Sequence, residues 1–211
     1  MQGVQQVLAT AVVLFVCATG AVTGAQKGGT QPAGGSQLDS RGFELFEAGQ
    51  RAHQAGKLDE AVKLYDQAIA LEPELWTAHY QRGVALLQLG KPADAEPSLR
   101  KAVALEADFA AASAALGEAL LALNRAADAE TVLLKAIEID PSVPGARLNY
   151  AVALWKRSAF ADVDRQLALL EKEGKATADA FVLHGQALEK LNRPVDALAA
   201  YSAAIAADPR H

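Results

Sequence analysis

The sequence predicts an all-α chain of five stacked helical hairpins, and three observations carry that expectation. It repeats itself at a step of 34 residues, its turn residues return at the same step, and it is poor in strand formers. Aromatic residues make up 6% of the 211 positions, Ala and Leu abound, and β-branched runs are scarce outside the first 25 residues, so intrinsic preference favours helix over sheet.

The chain divides into a leader at 1–25, a linker at 26–41 and five units at 42–75, 76–109, 110–143, 144–177 and 178–211. From Met1 to Gln26 no side chain is charged, and the apolar run Val7 to Val22 is followed by the small residues Thr23, Gly24 and Ala25. That pattern reads as a secretory signal cleaved after Ala25, and it places the protein outside the cytoplasm, periplasmic or secreted. The first six residues carry no Lys or Arg, so a membrane anchor formed by an uncleaved N-terminal helix is the alternative; spanning needs about 20 apolar residues. The one cysteine, Cys17, follows the bulky Val16, which does not suit a lipoprotein signal. Gln26 to Ser40 is rich in Gly, Ser and Gln with almost no apolar content, the composition of a flexible tether.

Within the units, a step of 34 aligns Gly49, Gly83, Gly117, Ala151 and Gly185 in each first helix without an insertion. In each second helix it aligns Tyr65, Leu99, Leu133, Leu167 and Tyr201. Small residues let helix backbones approach, and the large column fills the space beside them. Gly56, Gly90, Asn124, Ser158 and Asn192 form the turn between the helices, and Pro73, Pro141 and Pro209 mark the turn between units, as helix-stop chemistry requires. Glu60, Asp94, Asp128, Asp162 and Asp196 recur in the first turn of the second helices, where a negative charge favours the helix dipole. The fourth unit departs from the pattern: Val163 and Leu170 replace small residues, Thr177 replaces Pro, and Gly174 is expected to end its second helix. Looser packing or a kink is expected there.

Leu116-Gly117 and the run Ala61-x3-Tyr65 with Ala68 and Pro73 resemble the tetratricopeptide repeat, and the resemblance covers about residues 42 to 211. It implies a right-handed α-solenoid of five repeats whose first helices line a concave surface. The positions so implied include Phe46, Gln50, Tyr80, Val84, Leu87, Leu121, Leu148, Val152 and Trp155, with Glu118 on the same face. A contiguous apolar patch of this kind marks an interaction site, and these nine residues are the candidate partner-binding groove. The alternative, that several of them are packing residues, stays open on sequence alone, above all for Trp76 and Trp155. Some family members grip a chaperone's C-terminal carboxylate with Lys, Asn and Arg, but the matching positions here hold Phe46, Gln50, Gln81, Ala111 and Ala115, so that clamp is not expected.

A formal net charge of -5 argues against a nucleic-acid partner, which calls for a basic face. His53, His79, His184 and His211 show no short metal-ligand spacing, and no nucleophile-elbow, zincin or phosphate-loop motif is present. No cofactor, metal site or enzymatic activity is therefore expected. The function expected is a scaffold that holds a protein or peptide partner, in envelope or secretion-related assembly; an accessory or regulatory subunit of an enzyme complex is the alternative. No integral membrane domain is expected once the leader is removed. Leu198, Tyr201 and Ile205 of the fifth unit are expected to be partly uncovered, allowing end-to-end self-association.

Overall fold

The structure is a computed structural model that describes residues 37–209, with side chains from Arg41 onward. The leader at 1–25, Cys17, most of the linker and His211 lie outside the described residues. Ten α-helices and no strand occur among those residues. They fall into two compact units, one ending at Asp108 and the other running from Phe109.

The N-terminal unit holds α1 (Gln37–Gln54), α2 (Leu58–Leu71), α3 (Trp76–Gln88) and α4 (Pro92–Leu105). Helix α1 starts within the segment read as tether, because Gln37 to Arg41 contains no Gly or Pro to stop it. The C-terminal unit holds α5 (Ala110–Ala122), α6 (Ala126–Ile139), α7 (Ala146–Lys156), α8 (Phe160–Lys172), α9 (Ala178–Lys190) and α10 (Pro194–Ala207). Consecutive helices pack pairwise into hairpins, and each hairpin packs on the next within its unit.

Every hairpin turn is built the same way. Gly56, Gly90, Asn124, Ser158 and Asn192 all adopt positive φ, between 57° and 73°. Behind each, the next residue's N–H donates to a carbonyl five residues back, as in Lys57 to Ala52 and Arg193 to Leu188, both 2.9 Å. This left-handed cap satisfies helix-end carbonyls that would otherwise lack a donor. Gly174 closes α8 in the same way, with φ 66° and Lys175 donating to Leu170.

The small and large columns meet as the spacing predicts. A Cβ on Gly49 would stand 2.6 Å from the Tyr65 ring, on Gly83 2.5 Å from Leu99, and on Gly185 2.4 Å from Tyr201. Tyr65, Leu99, Leu133 and Leu167 are buried beside these approaches, as are Ala61, Ala95 and Ala129 of the alanine column. In the N-terminal unit Phe46 tilts against Tyr65 at 5.9 Å between ring centroids, and His53 meets the same ring edge-on at 6.4 Å. Arg82 of α3 ties neighbouring hairpins by donating to Asp66 of α2 and Ser98 of α4.

In the fourth unit, where the pattern departs, Val163, Leu167 and Leu170 are buried. A cavity of about 320 Å³ lies where Pro141, Val143, Leu148, Leu170 and Thr177 converge.

Candidate functional site

The candidate groove residues lie on faces of the first helices α1, α3, α5 and α7, and two of them meet their own second helix, Phe46 against Tyr65 and Trp155 against Phe160. The two compact units present these faces separately. In the N-terminal unit Phe46 is buried at 9% exposure, while Gln50, Tyr80, Val84 and Leu87 are half-buried. In the C-terminal unit Leu121, Leu148 and Val152 are 1%, 8% and 1% exposed, and Trp155 is half-buried. The contiguous exposed patch expected from the sequence is thus not what the structure shows at these positions. Four of the nine residues are interior side chains, because burial on a first helix is set by what lies beside it as well as by its own hairpin. Among the named residues, accessible area comes from Gln50, Tyr80, Val84, Leu87 and Trp155.

Trp155 is held by an edge-on contact with Phe160 at 5.0 Å between ring centroids. The ring is braced by its own hairpin turn while part of it remains accessible, an arrangement compatible with either of the two roles left open above.

Glu118 shares this face without being one of the nine groove residues. It sits on α5 in the column of Gln50, Val84, Val152 and Gln186. Its helical neighbours at three and four residues are Ala114, Ala115, Leu121 and Ala122, none of which can donate a hydrogen bond from its side chain. Burial alone pushes its carboxyl up to about 7. The signal was legible in the register, but a single acid among alanines carries no mark of being stripped of water.

Several other charged and polar groups are paired. His184, buried on α9, has Nε2 at 2.7 Å from Asp164 Oδ1 and Nδ1 against Glu171 Oε1, both acids on α8. Asp164 also accepts from Arg193 at 2.8 Å, so this cluster joins the fourth and fifth hairpins. Sequence spacing hid it, because the partners lie 13 and 20 residues away. His53 pairs with Gln88, and His79 with the Pro73 carbonyl, each at 2.9 Å. Among the described residues no group of three His, Cys, Asp or Glu is arranged to hold a metal ion. No described helix is long and apolar enough to cross a membrane. The recurrent first-turn acids pair locally, as in Arg125–Asp128 and Arg193–Asp196, and such exposed pairs contribute little.

Two family models match the chain, one described as TPR repeat over residues 49–90 and one as tetratricopeptide repeat over 80–144. No curated protein matches significantly. Among solved structures, the chain is similar to YrrB, described as a TPR protein with an unusual peptide-binding site. That match has 21% identity and a TM-score of 0.71, covering 83% of this chain and 94% of that one. It is similar to MamA at 19% identity and TM-score 0.73, over 81% and 93% of the two chains. It is also similar to the first TPR of Spaghetti (RPAP3) bound to the HSP90 peptide SRMEEVD, at 25% identity and TM-score 0.55, over 57% and 95%. With the 34-residue register, the left-handed turns and the glycine approaches all in place, this chain belongs to the tetratricopeptide repeat family.

Proposed function

We propose that the chain is a non-enzymatic scaffold that binds a partner peptide or protein on the free faces of its first helices. The observation that carries this reading is the set of half-buried large side chains, Tyr80, Val84, Leu87 and Trp155, which lie outside the columns that close the hairpins. Phe46, Leu121, Leu148 and Val152 are buried on the same set of helices, and Gln50 is a half-buried polar residue among them. Partly exposed aromatic and aliphatic groups on a rigid helical frame gain affinity at small cost in ordering. The peptide in the RPAP3 complex supports peptide binding as a use of this fold. The carboxylate clamp is not carried over, since Phe46, Gln50, Gln81, Ala111 and Ala115 offer no cation.

The apolar leader read from Val7 to Val22 supports a place outside the cytoplasm, in envelope or secretion-related assembly. Crosslinking in native envelopes tests both parts, comparing wild type with Tyr80→Glu. Recovery of the same partners by both proteins removes the groove assignment, and a cytoplasmic location of the chain removes the export assignment. Recovery of an enzyme lost in the variant would make the chain an accessory subunit instead. Val195, Leu198 and Ile205 are 80%, 68% and 64% exposed on α10, which supports self-association there; a monomeric mass by light scattering across micromolar concentrations removes that part.

A further inference from the structure

We propose that α10 of one copy packs on α10 of a second copy about a two-fold axis, so that the chain forms a closed pair. The proposal rests on the self-association reading above and names the surface that meets α10, the same stripe on another copy.

The stripe is the face that other second helices give to the hairpin after them. One step of 34 before Leu198 stands Asp164, which accepts from Arg193 and meets His184 at 2.7 Å. Two steps before it stands Glu130, which pairs with Arg157. One step before Ile205 stands Glu171, against His184. Each of these partners belongs to the following hairpin. On α10 the same two positions are 68% and 64% exposed, whereas Ile69, Val103 and Ile137 in the Ile205 column are half-buried. Tyr201 between them is half-buried, although Tyr65, Leu99, Leu133 and Leu167 of its column are buried. Val195, one turn earlier and also exposed, lengthens the stripe along the same side of the helix.

Two surfaces of a second copy could meet that stripe. The first is the face that first helices give to the hairpin before them. On α3 and α9 it is marked by Arg82 and His184, which reach back to Asp66 and Asp164. The residues one turn either side are alanines, Ala78 and Ala85, Ala180 and Ala187, all buried. In the same register α1 carries Glu44 and Arg51, both exposed, with Arg51 paired to Glu47. Laying Leu198 and Ile205 on them would strip water from charges that the stripe cannot pair, so α1 does not receive α10.

The second surface is the stripe itself. Among the described residues the exposed large apolar side chains are Phe43, Leu134, Leu169, Val195, Leu198 and Ile205. The first three stand one to a helix, and the last three share α10. The single charged residue of α10, Asp196, is paired with Arg193. Ser202, beside the stripe, donates to the Leu198 carbonyl of its own helix at 2.8 Å. Such a row meets a copy of itself without stranding a polar group. A two-fold contact closes at two copies, whereas contact of α10 with α1 would continue into filaments.

The test combines the mass by light scattering across micromolar concentrations with cysteine crosslinking, in a Cys17→Ser chain that has no other thiol. The mass should rise to twice that of one chain and stop there. Leu198→Glu with Ile205→Glu, both at exposed positions, should return it to one chain with the circular dichroism unchanged. Ser202→Cys should be joined to itself by a short bismaleimide, giving one species of two chains on a denaturing gel. Adding Arg51→Cys to Ser202→Cys should leave the product at two chains.

A ladder of longer products from the double cysteine variant, or a mass that keeps climbing, overturns the two-fold pairing while self-association through α10 stands. A pair of chains that Ser202→Cys fails to join overturns it in the same way, and this arm does not depend on the glutamates. A pair that persists with both glutamates, or a single-chain mass of the wild type throughout, overturns the proposal and the self-association reading together.

Discussion

Gly117 of α5 lies so close to Leu133 of α6 that a Cβ on the glycine would stand 2.3 Å from Leu133 Cγ. The two residues are the tightest instance of the approach that closes the hairpins, and the small partner is needed because the large one is fully buried. Gly117→Leu should therefore lower stability by about 1–3 kcal/mol through overpacking, measured by urea denaturation. Gly117→Ala should also destabilise, although alanine is the better helix former. Adding Leu133→Ala should relieve the clash, so the double-mutant cycle should show a coupling well outside additivity.

The hairpin turns separate backbone strain from packing. Nothing lies within 4 Å of a Cβ built on Gly56, whose φ is 73°. Gly56→Ala should cost about 1 kcal/mol through the left-handed backbone alone. Ser158 holds φ 61° without being glycine. Ser158→Gly should stabilise by roughly 1 kcal/mol, visible as a rise of a few degrees in Tm.

Glu118 gives stability a pH dependence of definite sign. Its folded carboxyl is raised to about 7 from the ordinary value of 4.5, so the native chain holds the proton more tightly than the unfolded one. Stability from this group is fully present below the ordinary value and is lost as pH rises through about 7. Glu118→Gln should match wild type near pH 4 and exceed it at pH 8 by on the order of 1–3 kcal/mol, allowing for partial solvent exposure. Equal differences at both pH values would show that the carboxyl is not desolvated.

His184 links two hairpins through Asp164 and Glu171. His184→Ala takes the imidazole partner from Glu171 and leaves Asp164 with Arg193 alone, and should cost about 1–3 kcal/mol. Because repeat arrays unfold by neighbouring units, hydrogen exchange should accelerate first in α9 and α10. Glu171→Gln in the same chain should recover part of the loss.

Trp155 divides between two roles that one variant distinguishes. Its edge-on contact with Phe160 gives Trp155→Ala a stability loss of about 0.5–1.5 kcal/mol from the ring pair, plus the loss of buried area. If the accessible part of the ring also anchors the partner, affinity for that partner should fall while helicity by circular dichroism is kept. A collapse of Tm with unchanged affinity would make it a packing residue only.

The sequence by itself determined the hairpin, because the features that make one are local in the chain. A left-handed turn asks for Gly, Asn or, at some strain, Ser at one position, and Gly56, Asn124 and Ser158 occupy it. A close helix approach asks for a small residue facing a large one sixteen positions on, and Gly49 and Tyr65 answer that. The register also brought Phe46, Leu121, Leu148 and Val152 to the first-helix faces. Only the tertiary structure decided that these four are interior, that His184 sits between two acids of α8, and that Glu118 is left desolvated without a cation. Burial and pairing at such positions depend on what neighbouring hairpins bring alongside, and side chains distant in the chain leave no periodic trace of where they meet.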